Sequence, residues 1–143
     1  DGGARGNPGP AGIGVVIKIT NSKLQVPNIK KISKYIGTAT NNQAEYRAVI
    51  EALNWIKENQ EKLDNRDNQD LEIECFLDSK LVVEQLNQNY KLKNEGLKPL
   101  FWQARDLVLK LDGKVSFQYI PREQNQEADR LVNQALDDRE KNV

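Results

Sequence analysis

The sequence predicts an α/β domain in which helices pack on the faces of a mixed sheet. Strand-like alternation comes first along the chain, and the later segments follow in the order helix, strand, helix, helix, strand, helix. That order is typical of a mixed sheet covered by helices. The chain has 143 residues, of which 38% are hydrophobic, so we expect a single domain over residues 1–143.

The first half of the chain predicts two strands and a helix. Residues 11–19 alternate in hydrophobicity behind a stretch rich in Gly and Pro, which indicates a strand that follows a turn. A second, short strand is expected at residues 31–36. Residues 42–59 carry apolar side chains at helical spacing, and Thr40 or Asn41 is the expected N-cap of this helix.

The second half of the chain predicts a further series of strands and helices. In chain order we expect a loop at residues 58–70, a strand at 71–77, a short helix at 79–86, an amphipathic helix at 97–111, a strand at 114–120 and a helix at 127–136 that precedes a charged tail. A Gly-rich turn like the one directly after Asp1 normally follows a strand. We therefore expect the first strand to be largely missing and the natural chain to continue upstream of Asp1.

Composition excludes several classes of protein. The chain has no run of about 18 apolar residues and no signal peptide, so we expect a cytoplasmic protein that makes no membrane contact. It has no His, which removes nucleophile activation by His and most zinc sites. The lone Cys75 alternates with apolar residues, which predicts a buried, unreactive thiol and fits a reducing compartment.

The charges of the chain balance, with 21 basic and 21 acidic residues, so no overall positive field attracts nucleic acid. Any contact with a polyanion must then be local. Two groups of lysines are candidates for such a contact, although a solvated surface is the commoner meaning of such groups. They are Lys30, Lys31 and Lys34 in the first group and Lys91, Lys93 and Lys98 in the second.

Four acidic residues, Asp1, Glu45, Asp78 and Asp129, each lie in a distinctive local sequence. Taken singly, each has an ordinary explanation as a loop start, a helix N-cap, a solvated helix residue or a charge near a helix N-terminus. However, three lie where an element begins or ends and one lies in the first turn of a helix, where α/β folds collect functional groups. Acids gathered there would repel one another, and a hard divalent cation such as Mg²⁺ or Mn²⁺ would relieve the repulsion.

The segments around these acids resemble, in order, the four signature segments of the type 1 ribonuclease H family. They read Asp-Gly-Gly-Ala-Arg-Gly-Asn-Pro-Gly-Pro from Asp1, Thr-Asn-Asn-Gln-Ala-Glu-Tyr-Arg-Ala from Thr40, Asp-Ser-Lys-Leu-Val from Asp78 and Pro-Arg-Glu-Gln-Asn-Gln-Glu-Ala-Asp from Pro121. The resemblance implies the ribonuclease H fold, a five-stranded mixed sheet flanked by helices on both faces. It also implies an endoribonuclease that hydrolyses the RNA strand of RNA/DNA hybrids and leaves 5′-phosphate and 3′-hydroxyl ends.

The same resemblance implies a metal site. Asp1, Glu45, Asp78 and Asp129 match the catalytic carboxylates that hold two Mg²⁺ ions in the family, with Mn²⁺ as an alternative. In this interpretation Asp1 bridges both ions, Glu45 and Asp78 bind the ion near the attacking water, and Asp129 binds the other. Two such ions about 3.5 to 4 Å apart can activate a water and stabilise the leaving oxygen of a phosphodiester.

Contacts with the hybrid are also implied by the resemblance. A hybrid has a wide minor groove that displays the 2′-hydroxyl groups of the RNA strand. The residues expected to contact the substrate are Gly2, Gly3, Ala4, Asn7, Thr40, Asn42, Gln43 and Arg122. Among them, Thr40 and Asn7 resemble the family's pocket for a phosphate of the DNA strand.

Two departures from the family pattern bear on the mechanism. Many relatives carry a His before the last helix, and Arg122 occupies roughly that place here. A guanidinium remains protonated, so Arg122 can hold a phosphate but cannot act as a general base. Some relatives insert a long basic protrusion where this chain has only residues 87–99, so we expect the hybrid affinity of this domain to be modest.

Two other interpretations remain open at this point. One is a different nuclease of the same broad fold, such as an integrase or junction resolvase, although those proteins usually lack the combination of the Asn7 and Thr40 segments. The other is a catalytically silent binding or structural module, although such modules tend to lose at least one of the acids. We expect a monomer, and the sequence leaves open whether the domain stands free or belongs to a larger polypeptide with an upstream domain.

Overall fold

The computed structural model describes residues 1–19, 28–63 and 72–142, and its elements follow the predicted order with two additional short helical segments. The strands are β1 (Gly2–Ala4), β2 (Gly9–Lys18), β3 (Ile29–Ala39), β4 (Ile73–Leu77) and β5 (Val115–Tyr119). The helices are α1 (Asn41–Glu58), α2 (Gln60–Leu63), α3 (Lys80–Leu86), α4 (Lys98–Lys110) and α5 (Gln126–Lys141), with a 3₁₀ turn at Arg122–Gln124. Within these three ranges, no helix has the length and apolar character needed to cross a membrane.

The strands pair in both directions, which confirms the mixed α/β class. β1, β2 and β3 form an antiparallel sheet in that order, and β4 pairs in parallel with β5. In the described part of the chain the predicted five-stranded sheet is therefore split in two, because β1 has only three residues and pairs with β2 alone. Asp1 extends that pairing: its nitrogen donates to the Gly14 carbonyl (2.8 Å), and the Gly14 N–H donates back to the Asp1 carbonyl (2.9 Å).

Helices cover both faces of the three-stranded sheet, as predicted. Successive residues of a strand face opposite sides, and a Cβ added to Gly2 would overlap the backbone of α1, whereas one added to Gly3 would point toward Val132 of α5. Gly14 on β2 also faces α5, where a Cβ would overlap the carbonyl of Ala128. Because these positions have no side chain, both helices approach the sheet to the distance of backbone contact.

The main hydrophobic core lies between the inner face of β4 and β5 and helices α1, α3 and α4. Its most completely buried members include Tyr46, Leu53, Val82, Val83, Leu86 and Ala104. The hydroxyl of Tyr46 donates to the buried Gln85 side chain at 2.7 Å, which joins α1 to α3. Cys75 packs partly buried against this core, and burial raises the pKa of its thiol to about 12, so it is a poor nucleophile.

The helix expected at residues 127–136 is longer, because α5 spans Gln126–Lys141 and includes the charged residues expected as a tail. Long-range contacts hold these last turns on the sheet. Arg5 forms ion pairs with Asp137 (2.7 Å) and Glu140 (2.6 Å), and the Arg139 guanidinium lies 5.3 Å from the centre of the Tyr35 ring. These contacts join the end of α5 to residues more than 100 positions away in the chain, with 135 residues between Arg5 and Glu140.

Two further boundaries differ from the prediction. The strand expected at residues 31–36 is longer, because β3 continues through Gly37, whose φ of +85° accompanies a register shift against β2. The loop expected at residues 58–70 begins instead with the end of α1 and with α2. The rest of that loop and the start of the strand expected at 71–77 lie at residues 64–71, outside the described residues.

The packing of α5 on β2 gives a first test. Gly14→Ala is expected to destabilise the fold by about 1 to 3 kcal/mol, the usual cost of overpacking, because its Cβ meets the helix backbone and lies 2.8 Å from the Leu131 Cβ. Gly3→Ala is the matched control, since its Cβ would have ordinary contact with Val132 at 3.6 Å. Urea unfolding measures both variants, and equal losses would show that the close approach at Gly14 is not required.

Candidate active site

Three of the four predicted carboxylates meet at one edge of the fold. Asp1 precedes β1, Asp78 directly follows β4, and Glu45 lies in the second turn of α1. One side-chain oxygen from each of the three lies within 4.8 Å of the others. We call Asp1, Glu45 and Asp78 the acidic triad, and it lines an open cleft of about 540 Å³.

Local structure explains why the triad forms. The missing side chain of Gly2 lets α1 approach β1, and the Gly2 N–H donates to Glu45 Oε1 at 3.2 Å, which brings Glu45 beside the first strand. On the other side, the Ser79 hydroxyl accepts from the Val82 N–H at 3.3 Å and begins α3 immediately after Asp78. The chain therefore turns sharply after β4 and leaves the Asp78 side chain at the strand end.

Glu45 is the buried member of the triad, whereas Asp1 and Asp78 are partly exposed. The pKa of its carboxyl is raised to about 7, mainly by burial and also by the nearby charge of Asp78, while the Asp1 amino group and the Gly2 N–H offset part of the rise. Its Oε1 accepts the Gly2 N–H, but its Oε2 is buried and has no hydrogen-bond partner in the described part of the chain. A buried carboxylate oxygen without a donor is unfavourable unless a cation binds it.

Asp129, the fourth predicted carboxylate, lines the same cleft but is not a member of the acidic triad. It lies in the first turn of α5, where its N–H donates to the Asn125 carbonyl at 3.1 Å. Its Oδ1 lies 3.7 Å from Nη2 of Arg122, whose side chain is 80% exposed. Asp129 and Arg122 thus form a loose, solvated pair at the rim of the cleft.

The residues expected to contact the substrate divide into two groups. The first group lines the cleft beside the acids and consists of Gly2, Gly3, Ala4, Asn42 and Arg122. Asn7, Thr40 and Gln43 lie outside the cleft lining, and their side chains bond to the protein itself. The sequence motifs therefore combine groups that face a ligand with groups that shape the backbone around it.

Hydrogen bonds join the turn after β1 to the start of α1. The Asn41 N–H donates to Asn7 Oδ1 at 3.0 Å, and Asn41 Oδ1 accepts from the Ala4 N–H at 2.9 Å. Thr40 and Gln43 form a capping box, in which Thr40 Oγ1 accepts from the Gln43 N–H (3.1 Å) and Gln43 Oε1 accepts from the Thr40 N–H (2.9 Å). Thr40 is thus the N-cap of α1, one of the two residues predicted for that role.

Sequence reasoning missed three residues that shape the cleft. Arg5 lines it and holds the turn after β1 against α5 through its ion pairs with Asp137 and Glu140. The sequence predicts Asn41 only as a possible cap of α1. Asn125 donates its side-chain N–H to Asp78 at 3.2 Å. All three occur inside the quoted motifs, so proximity to the four acids was the signal that could have identified them.

Three of the six lysines in the two groups form ion pairs with carboxylates of this chain. Lys31 pairs with Glu127 at 2.6 Å, Lys34 with Glu51 at 2.9 Å and Lys98 with Glu95 at 2.7 Å. Such exposed pairs contribute little to stability. They also neutralise part of the positive charge, which favours the interpretation of these groups as solvated surfaces.

The acidic triad fits a hard divalent cation. Its donors are all carboxylate oxygens, which suit Mg²⁺ or Mn²⁺ rather than metals that prefer nitrogen or sulfur. The orphaned Glu45 Oε2 is an oxygen that a cation would satisfy. Together, these features define a mixed α/β domain with a cluster of three acids that could hold a divalent cation.

Comparison with known proteins identifies the family to which this domain is similar. A family profile described as reverse transcriptase-like matches residues 1–135. Ribonuclease HI of Halobacterium salinarum is 37% identical over 138 residues, which cover 96% of this chain and 62% of that protein. The crystal structure of LC11-RNase H1, a protein isolated from compost, in complex with an RNA/DNA hybrid has 44% identity and a TM-score of 0.82, covering 96% of this chain and 94% of that one.

A bifunctional protein of Mycobacterium tuberculosis is 39% identical over 137 residues, which cover 96% of this chain. The chain spans about a third of the length of the mycobacterial relatives that it matches, since the alignment covers 34% of each. From these matches, the chain belongs to the type 1 ribonuclease H family, and the family predicted from the four motifs is confirmed.

The raised pKa of Glu45 gives a second test, on metal-free protein. Because the folded pKa of about 7 exceeds the ordinary value of 4.5, ionising Glu45 costs folding stability. The contribution of protonated Glu45 to the free energy of unfolding is therefore fully present below pH 4.5. It is lost as the pH rises through about 7. Glu45→Gln is expected to remove this loss and to be more stable than the unmodified protein at pH 8, by up to about 3 kcal/mol.

The measurement is urea unfolding from pH 4 to pH 8 with a chelator present. Glu58→Gln is the control, because it removes an exposed carboxylate from the same helix. A stability difference between the Glu45 variant and the unmodified protein that does not grow with pH would contradict the assignment.

Proposed function

We propose that this domain is an endoribonuclease that hydrolyses the RNA strand of RNA/DNA hybrids and leaves 5′-phosphate and 3′-hydroxyl ends. The observation that carries the proposal is the acidic triad, with oxygens within 4.8 Å and the buried Glu45 Oε2 without a donor, in an open cleft. Membership in the ribonuclease H family supports it, as does the likeness to LC11-RNase H1, which was crystallised with a hybrid. Retention of all four acids argues against a catalytically silent module.

We assign a first cation position to the acidic triad and a second to Asp1 with Asp129. Mg²⁺ is the expected ion and Mn²⁺ the alternative, with two ions per site. When bound, such cations supply the charge neutralisation and Lewis acidity that hydrolysis of a phosphodiester requires. The carboxylates would hold them, and we assign Asp1 to both positions, because it directly precedes β1 and has an oxygen within 4.8 Å of the other two acids of the triad.

The remaining residues of the cleft are assigned to the substrate. The backbone at Gly2, Gly3 and Ala4 and the Asn42 side chain line the cleft, where amide groups can test for a 2′-hydroxyl. Arg122 is exposed at the rim and can pair with a phosphate.

Asn7, Thr40 and Gln43 are assigned to the edge of the substrate path. Thr40 Oγ1 and Asn7 Oδ1 accept bonds from the protein, which leaves the Thr40 hydroxyl proton and the Asn7 amide protons to donate to a phosphate of the DNA strand. Gln43 secures the position of Thr40 through the capping box.

At the level of the whole protein, we propose that residues 1–143 act as one catalytic domain that functions as a monomer. The chain covers 34% of the mycobacterial bifunctional protein. An additional domain in the natural polypeptide is therefore part of the proposal, and it would set the full hybrid affinity.

Hybrid cleavage is tested with a labelled RNA strand in a hybrid, alongside double-stranded RNA and double-stranded DNA. Asp78→Asn keeps the side-chain shape but removes a charge from the triad, so cleavage is expected to fall by at least about a hundredfold, the scale of losing one electrostatic stabiliser from an active site. The folded state should persist in circular dichroism.

Asp106→Asn is the matched control for that experiment, because Asp106 is an exposed acid on α4 that pairs with Lys110 at 2.9 Å. It should retain full activity. Cleavage that survives a chelator, that includes the DNA duplex, or that is equal in both variants would overturn the proposed function.

The role of Arg122 gives a separate test. Arg122→Ala is expected to raise KM for the hybrid by up to about fivefold, since exposed charge contacts contribute at most about 1 kcal/mol. The pH–rate profile should keep its shape, because a guanidinium does not titrate in the working range and the proton on Glu45 is the one that competes with a cation. An inflection between pH 6 and 7 that moves in the Arg122 variant would show that Arg122 takes part in proton transfer.

A further inference from the structure

Asn125 makes a contact that its place in the sequence does not lead one to expect. It is the residue directly before α5, the N-cap position, yet its Nδ2 donates to Oδ2 of Asp78 at 3.2 Å across a separation of 47 residues. Asp78 belongs to the acidic triad. The contact therefore joins the start of α5 to one of the carboxylates assigned to the cation.

The contact replaces the role that Asn usually has at this position. Asn is among the preferred N-cap residues because its side-chain oxygen accepts a free N–H of the first turn. Thr40 and Ser79 make such bonds at α1 and α3, whereas α5 has no side-chain cap bond. Helix α5 thus forgoes a stabilising cap while Asn125 bonds to Asp78, and such a departure from local stability is typical of functional sites.

The chemistry of the two groups settles the orientation of the Asn125 amide. An ionised carboxylate only accepts hydrogen bonds, so the NH₂ group of Asn125 must face Asp78. One carboxylate oxygen of Asp78 then has a protein donor. The bond from Asn125 would limit rotation of the Asp78 carboxylate and leave its other lone pairs to hold a cation.

The backbone of Asn125 is held on both sides. Its N–H donates to the Arg122 carbonyl at 3.0 Å, and its carbonyl accepts from the Asp129 N–H at 3.1 Å. The next turn of α5 lies against Gly14, where a Cβ would be 2.8 Å from the Val132 nitrogen. The amide that reaches Asp78 is therefore mounted on a rigid part of the fold.

We propose that Asn125 is a positioning residue: it fixes the carboxylate of Asp78 for cation binding and keeps the Arg122 and Asp129 segment in register with the acidic triad. This inference rests on the proposed function and extends it to a residue outside the four acids. Groups that hydrogen-bond to metal ligands typically contribute ten- to a hundredfold to metal affinity or activity. Asn125 acts through Asp78 and does not itself contact the substrate.

The test is calorimetric titration of Mn²⁺ into the whole chain, which requires no turnover. Asn125→Ala is expected to weaken Mn²⁺ binding by about ten- to a hundredfold. Asn89→Ala is the matched control, because Asn89 also donates its side-chain N–H to a carboxylate, Glu84 Oε2 at 3.1 Å, on an exposed surface. The control should bind Mn²⁺ like the unmodified protein.

Two further measurements separate positioning from loss of structure. The urea midpoint of metal-free Asn125→Ala should stay near that of the unmodified protein, since no cap bond is removed. Hybrid cleavage by the variant should recover at high Mg²⁺ concentration, so that the half-saturating Mg²⁺ concentration changes more than kcat. If the alanine variant fails to fold, Asn125→Ser takes its place, because Ser can cap a helix but has no amide to reach Asp78.

The outcomes distinguish this inference from the proposed function. If the unmodified protein binds Mn²⁺ and cleaves the hybrid while Asn125→Ala has the same Mn²⁺ affinity, the positioning role is wrong and the proposed function stands. A loss of affinity that merely follows a lowered urea midpoint would also overturn it. If the unmodified protein binds no Mn²⁺ and cleaves no hybrid, both are wrong.

Discussion

Burying the Glu45 carboxyl beside Asp1 and Asp78 is unfavourable by itself, because desolvation and like charge both oppose its ionised form. Packing and chain direction elsewhere in the fold bring these three acids together. Gly2 has no side chain, so α1 lies against β1 and brings Glu45 to the strand that begins with Asp1. The sharp turn after β4 places Asp78 on the other side. The fold thus holds an electrostatic conflict that a divalent cation would relieve, so the geometry that costs stability also suits a cation site.

The start of α5 follows the same pattern. Asn125 bonds to Asp78 in place of its own helix, and Asp129 faces Arg122 at the rim of the cleft instead of joining the triad. Both features sit on a helix that is pressed against the sheet at Gly14 and tied at its far end by Arg5. Rigid packing away from the cleft therefore compensates for the missing cap bond and the clustered acids within it. This is expected where function competes with stability.

Much of the fold could be predicted from periodicity, because the strand and helix patterns of β2, α1, α4 and β5 are local properties of the chain. The acids could be identified because each stands in a distinctive motif. Contacts that depend on distant partners could not be predicted in this way. Arg5 bonds to the last turns of α5 across as many as 135 residues, and the bond from Asn125 to Asp78 spans 47 residues. The split of the sheet depends on the hydrogen bonds of β1. With only three residues, β1 is too short to show an alternating pattern in the sequence.

The most direct test of the account is a crystal structure of the protein grown with Mn²⁺, with the ions located by anomalous scattering. We predict one Mn²⁺ peak next to the side-chain oxygens of Asp1, Glu45 and Asp78. When a hybrid is bound, we predict a second peak next to Asp1 and Asp129. Clear anomalous peaks elsewhere with none at the acidic triad, at a concentration that supports cleavage, would contradict it.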